Sequence, residues 1–122
     1  MNVNNKLLVI TGAGSGIGRA TANAAASRGA RLILCDINES TLTETQAVLG
    51  ASVVSTCVMD VSDREAMNTF AQKVVSEYGV PDVIINNAGV GLAGGLLDIS
   101  HDDLEWVMNI NFWGVFNGCK AF

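Results

Sequence analysis

Basic charge, proline and clustered metal ligands are all scarce in this chain. Lys and Arg number 7 against 12 Asp and Glu, for a formal net charge of -5. An acidic chain with no basic stripe argues against nucleic acid as a partner, because phosphate backbones are held by clustered Lys and Arg. One proline and no charge run leave no sign of a long disordered segment. One histidine, His101, and no Cys-x-x-Cys give the spacing of no metal site, so no metal is expected. The cysteines Cys35, Cys57 and Cys119 are scattered, odd in number and set in apolar runs. That pattern predicts reduced core thiols in a cytoplasmic protein. Apolar runs are short, and none has the length of a signal peptide core or a membrane span.

What is present is a globular composition, 49% hydrophobic over 122 residues, which sets one domain spanning residues 1–122. The apolar run at residues 7–10 is followed by Thr11-Gly12-Ala13-Gly14-Ser15-Gly16-Ile17-Gly18 and then by an alanine-rich helical stretch to residue 28. Strand-like runs follow at residues 31–36, 53–59 and 83–86. Helical patterns lie between them, at residues 39–49 after Asn38 as a cap, and from Ser62 to Tyr78 with a Ser62/Glu65 capping box. The second of these carries Met67, Phe70, Ala71, Val74, Val75 and Tyr78 at helical spacing. A glycine-rich connection at residues 89–95 is read as a mobile loop over the substrate region. A last helix, opened by Ser100 and Asp103 with His101 solvated in its first turn, runs to the chain end. Strands alternating with helices predict an α/β fold: a three-layer, Rossmann-type parallel sheet of strand order 3-2-1-4. Ligands in such sheets bind beyond the carboxyl ends of the strands, where the winding reverses.

The glycines have separate tasks. Gly12 permits the tight exit from the first strand, Gly16 lets a phosphate approach the backbone, and Gly18 lets the helix pack on the sheet. The helix N-terminus offers free N–H groups and partial positive charge to a pyrophosphate, with the Ser15 hydroxyl beside it. No Lys follows the last glycine, so this is not the Walker A loop. Asp36 ends the second strand, where a carboxylate accepts both hydroxyls of an adenosine ribose and repels a 2′-phosphate. Neither Ser15 nor Ile37 is basic, so the expected cofactor is NAD(H) rather than NADP(H). Asp36 also fits a plain turn cap. Asp60, at the same rim, fits either an adenine contact or a cap near Ser62.

Together, Thr11-Gly-x-x-x-Gly16-x-Gly18, Asp36, Asp60-Val61, Asn86-Asn87-Ala88-Gly89 and Asn111-x-x-Gly114 resemble the short-chain dehydrogenase/reductase family in its N-terminal, cofactor-binding half. The resemblance covers essentially the whole chain, and its specificity comes from combining the glycine turn with Asn-Asn-Ala-Gly. It implies that Ser15 and Ile17 approach the pyrophosphate, Asp36 and Ile37 the adenosine ribose, and Asp60 and Val61 the adenine. It implies that Asn87, Ala88 and Gly89 border the cofactor, that Asn87 braces the sheet near Thr11, and that Ile110 lies near the adenosine. Asn111 would organise a water in the proton relay of an Asn-Ser-Tyr-Lys set. The implied activity is hydride transfer between nicotinamide and a small-molecule alcohol or carbonyl. The family's catalytic serine and Tyr-x-x-x-Lys do not occur in these residues; the only tyrosine, Tyr78, lies on an apolar helix face. The expectation is therefore a cofactor-holding portion that stops before the remaining strands and is inactive alone. A non-catalytic dinucleotide-binding module complete as it stands is the alternative. A methyl-donor site ranks last, because Ile10 stands where an acidic residue is usual.

In the last helix, Leu104, Val107, Met108, Asn111, Phe112, Val115 and Cys119 fall on one stripe, and Trp106, Ile110, Trp113 and Phe116 on a second. Two apolar faces predict burial on two sides, against a further part of the protein or a second subunit in a homo-oligomer. Within the first stripe, Asn111 is either the relay residue or a buried amide bonded to the helix backbone.

Overall fold

The structure is a computed structural model describing residues 1–122. Its elements are β1 (Leu7–Thr11), α1 (Gly16–Ala26), β2 (Arg31–Asp36), α2 (Glu39–Leu49), a 3-10 turn (Gly50–Ser52), β3 (Val53–Val58), α3 (Arg64–Tyr78) and β4 (Val83–Ile85). After a connection without regular structure come α4 (His101–Met108), a π-helical segment (Asn109–Gly114) and α5 (Val115–Ala121).

The strands form one sheet in the order β3-β2-β1-β4 with every pairing parallel, as the alternating pattern predicts. All five residues of β1 are buried, as are four consecutive residues of β2. Continuous burial is what a parallel sheet covered on both faces demands. Successive side chains point to opposite faces. Leu8, Ile10, Leu32 and Leu34 thus pack with Ala13, Ala22, Ala25 and Leu42 on the α1 and α2 side. Leu7, Val9, Ile33 and Cys35 pack with Met67, Phe70 and Val74 of α3 on the other. The small Ala22 and Ala25 let α1 lie close to the sheet. Lys6 and Asp82 form an ion pair of 2.8 Å, and Asp82 also accepts the Leu7 N–H at 2.9 Å, which ties the entrances of β1 and β4.

Several local expectations are corrected. The cap of α3 is Asp63, which accepts the Ala66 N–H at 3.0 Å; Ser62 instead bonds Asp60. Adjacent Ser and Asp both suit a cap, and the residue whose backbone stays extended takes the role. Asn38 and Ser100 cap as expected, accepting from Thr41 and Asp103. Val75 lies on the exposed flank of α3, and Tyr78 packs against the core while its hydroxyl donates to Val54 O at 3.2 Å. Of the three thiols only Cys35 is a core residue; Cys57 is half-buried and Cys119 exposed.

The final helix is not one regular helix. Its π segment widens the turn between α4 and α5, so a stripe drawn at helical spacing is broken in phase there. Within this chain it is buried on one side. Its buried face is Gly114, Asn117 and Gly118, while Leu104, Trp106, Met108, Phe112, Trp113 and Phe116 are each about half exposed. A Cβ at Gly114 would stand 2.6 Å from Val61 Cγ2, and one at Gly118 would strike Asn86 Oδ1. Asn117 Nδ2 donates to Val61 O at 3.0 Å. These contacts seat the helix beneath the carboxyl ends of β3 and β4. No helix is long and apolar enough to cross a membrane.

Candidate functional site

The parallel strands deliver their last residues to one rim. Beyond it lies a cleft of about 350 Å³. Gly12, Ser15, Gly16 and Ile17 line it from the β1–α1 turn, Asp36 and Ile37 from the end of β2, and Asp60 and Val61 from beyond β3. Asn87, Ala88 and Gly89 close the opposite side, with Ile110 at the flank. All of the expected ligand-binding residues except Gly18 thus meet in one place. Met59 and Val90 also line the cleft and were not anticipated.

The turn's geometry follows from its glycines. Gly12 has φ +66°, and a Cβ on it would come within 2.8 Å of Ala88 Cα. Gly18 lies directly against Gly12 O, where no side chain fits. Gly16 has φ +50°, and a Cβ there would meet nothing within 4 Å, so the turn is open on the cleft side. The first intrahelical bond of α1 is Arg19 N–H to Ser15 O at 3.1 Å, which leaves the N–H groups of Gly16, Ile17 and Gly18 ahead of it without helical acceptors.

The opposite wall hangs on Thr11. Its Oγ1 accepts the N–H groups of Asn87 and Ala88, each at 3.1 Å. Asn87 Nδ2 in turn donates to Thr11 O at 3.1 Å and Gly12 O at 3.2 Å. Two glycine-bearing turns from distant parts of the sequence are thereby fixed to each other.

Both carboxylates of the rim have structural partners. Asp36 Oδ2 accepts the Gly14 N–H at 2.8 Å and Oδ1 the Asn38 N–H at 2.9 Å. Asp60 Oδ1 accepts from Ser62 N–H at 2.9 Å and Ser62 Oγ at 2.7 Å. Each carboxylate therefore does perform the turn-bracing role open to it from the sequence, and each lines the cleft with acceptor capacity beyond these bonds.

Arg19 was missed by sequence reasoning. Its guanidinium donates to Gly14 O, to Thr41 O at 3.1 Å, to Thr45 Oγ1 at 2.9 Å and to Glu44 at 3.2 Å. It thus locks the glycine turn to α2. Its position directly after Gly18, on a helix face leading to a buried Thr45, was the available signal.

Asn111 lies in the π segment and outside the cleft lining. Its Oδ1 accepts the Val90 N–H at 2.8 Å and its Nδ2 donates to Val90 O at 2.7 Å. The buried-amide reading is overturned, for the side chain is exposed and grips the connection after β4 rather than its own helix.

Known proteins are similar to this chain in sequence and in fold. The protein named "Probable oxidoreductase EphD" of Mycobacterium tuberculosis is 48% identical over 118 residues, covering 95% of this chain and 20% of that protein. The crystal structure of a short chain dehydrogenase/reductase from Burkholderia phymatum in complex with NAD superposes with a TM-score of 0.93. It shares 38% identity, over all of this chain and 44% of that one. The structure of NAD+-bound xylitol dehydrogenase gives a TM-score of 0.92 at 35% identity, over 99% of this chain and 48% of that one. The chain therefore spans between a fifth and a half of the length of these relatives. The family model described as short chain dehydrogenase matches residues 6–122. By sequence and by fold, this chain belongs to the short chain dehydrogenase family.

Proposed function

We propose that this chain holds NAD(H) in the cleft and serves an oxidoreductase that interconverts an alcohol and a carbonyl compound. The observation that carries the reading is the convergence of the glycine turn, Asp36 and Asn87-Ala88-Gly89 on one cleft at the carboxyl ends of parallel strands. The residues fit the cofactor. The open space at Gly16 and the unpaired N–H groups of α1 suit a pyrophosphate. The remaining lone pairs of Asp36 suit ribose hydroxyls, with Ile37 beside them. Asp60 and Val61 border the place left for adenine, and Ile110 covers its flank. When bound, the nicotinamide supplies the hydride chemistry.

NAD(H) is favoured over NADP(H) on charge. Asp36 repels a 2′-phosphate, Ser15 and Ile37 are uncharged, and the nearby cation, Arg19, is engaged by Gly14, Thr41, Thr45 and Glu44. Asn111 fixes Val90 at the rim, and its second Oδ1 lone pair and second Nδ2 hydrogen are left to hold a water in the proton relay. The half-exposed apolar flank of Trp106, Trp113 and Phe116 supports packing against a second copy. Three unbridged thiols support a reducing, cytoplasmic setting.

Calorimetric titration of the chain with NADH and NADPH tests the proposal. Binding of NADH with a clear preference over NADPH is expected; no NADH binding sinks the reading, and equal affinities sink the Asp36 argument. No dehydrogenase turnover is expected from this polypeptide, whose only tyrosine gives its hydroxyl to Val54 O. Robust alcohol-dependent reduction of NAD by the purified chain would overturn that expectation.

A further inference from the structure

Cys35 and Cys57 are direct partners in the β2–β3 register. Adjacent strands lie about 4.8 Å apart, and directly paired residues point to the same face. That spacing falls within the window of about 4.4–6.8 Å between Cα atoms in which a disulfide can close. The two thiols differ in access. Cys35 is fully buried in the core under α3, whereas Cys57 is half-buried on β3, the edge strand of the sheet. Cys57 also lines a separate cavity of about 310 Å³ with Phe70, Lys73 and Tyr78. This cavity shares Met59 with the cleft but includes none of the glycine turn, Asp36 or Asn87-Ala88-Gly89.

We propose that Cys35 and Cys57 form a peroxide-sensitive dithiol couple, in which Cys57 is oxidised first and Cys35 then closes a disulfide across the sheet edge. The first step is attack of the Cys57 thiolate on one oxygen of hydrogen peroxide. The O–O bond breaks, an S–O bond forms, hydroxide leaves, and the sulfur is oxidised by two electrons as the peroxide is reduced. In the second step the Cys35 sulfur displaces the sulfenic oxygen of Cys57. The S–S bond forms, the S–O bond breaks, and the Cys35 proton leaves with that oxygen as water.

Unequal access sets the order, Cys57 being open to the cavity and Cys35 sealed in the core, and the electrostatics run the same way. The Cys57 thiol is lowered to about 7, with the Cys35 thiol as hydrogen-bond partner to its sulfur, burial opposing and the Lys73 ammonium assisting. Burial pushes the Cys35 thiol well up, so it stays protonated and inert until its neighbour is oxidised. Cys119 is exposed, but no other cysteine is placed to resolve it, and its sulfur accepts from Asn86 Nδ2 at 3.4 Å.

The folded chain treated with hydrogen peroxide, freed of oxidant, unfolded and alkylated gives a direct readout. No Lys or Arg lies between Arg31 and Arg64, so trypsin releases both cysteines in one peptide, residues 32–64, apart from Cys119. The expected product is that peptide unalkylated and lighter by two hydrogens, formed before Cys119 is lost. Alkylation of both its cysteines after Cys119 has been oxidised overturns the proposal. So does a higher oxide on Cys57 beside an alkylated Cys35, or a disulfide joining two copies. In Cys35→Ser, which keeps a hydroxyl beside the Cys57 sulfur but cannot close a disulfide, the Cys57 sulfenic acid should accumulate and be trapped by dimedone; a folded variant without the adduct also overturns it. The wild-type measurement stands alone if that variant does not fold.

Discussion

Replacing Thr11 with valine isolates the bond that holds the two walls of the cleft together. Valine keeps the shape of threonine, so the site, only 1% exposed, gains no cavity. What disappears is the oxygen that accepts the Asn87 and Ala88 N–H groups. The Asn87 N–H has a second acceptor, Ile85 O at 3.0 Å, and keeps it. Only the Ala88 N–H is orphaned. An orphaned buried donor costs about 1–3 kcal/mol, and Ala88 is only half-buried, so a loss of about 1–2 kcal/mol is expected. For a domain of this size that lowers Tm by about 4–8 °C. Urea unfolding followed by far-UV circular dichroism measures the loss, and NADH titration measures the loosened wall as weaker binding. Thr11→Ser keeps the acceptor and should retain most of both. A Thr11→Val chain as stable as wild type, or a Thr11→Ser chain damaged as badly, would refute the account.

Asp36→Asn removes charge while keeping one acceptor oxygen. NADH affinity should fall about tenfold, the value of one charge-assisted bond, with NADPH affinity unchanged or improved; parallel titrations check it, and an unchanged NADH-to-NADPH ratio counts against it. Gly18→Ala places a methyl against Gly12 O and 2.7 Å from Gly12 C. The expected cost is about 1–3 kcal/mol, read from the urea midpoint, and an unmoved midpoint would contradict the packing. The Lys6 ammonium and the Leu7 N–H hold the Asp82 carboxyl below its ordinary 3.8. A depressed folded-state value gives stability that is present above the unfolded value and lost as pH falls through the folded one. Acid melts below pH 3.8 should therefore show a smaller further loss in Asp82→Asn than in wild type, and identical acid slopes would exclude the contribution.

The strand order and the lining of the cleft were legible because they rest on local signals. Apolar runs of strand length, glycines at fixed offsets and the handedness of parallel crossovers suffice to bring residues 12–18 and 87–89 to one rim. What was not legible depends on long-range geometry or on small backbone choices. The grip of Asn111 on Val90 spans 21 positions and exists only because the π segment turns that side chain toward the connection. The Asp63 cap displaced Ser62 by one residue, a difference set by where the backbone turns helical. Two of the three thiols left the core because β3 is an edge strand and α5 shows Cys119 to solvent, which apolar neighbours in sequence do not reveal.

The Arg19 clamp has a consequence for how cofactor choice changes over evolutionary time. A cation already stands at the mouth of the glycine turn, moored to α2 through Thr41, Thr45 and Glu44. Cutting its moorings on α2 would release that charge without any new basic residue being acquired near the ribose. Beside the Asp36 charge, the anchoring of this one arginine is thus expected to bear on selectivity, and substitutions on α2, outside the cleft lining, should shift it.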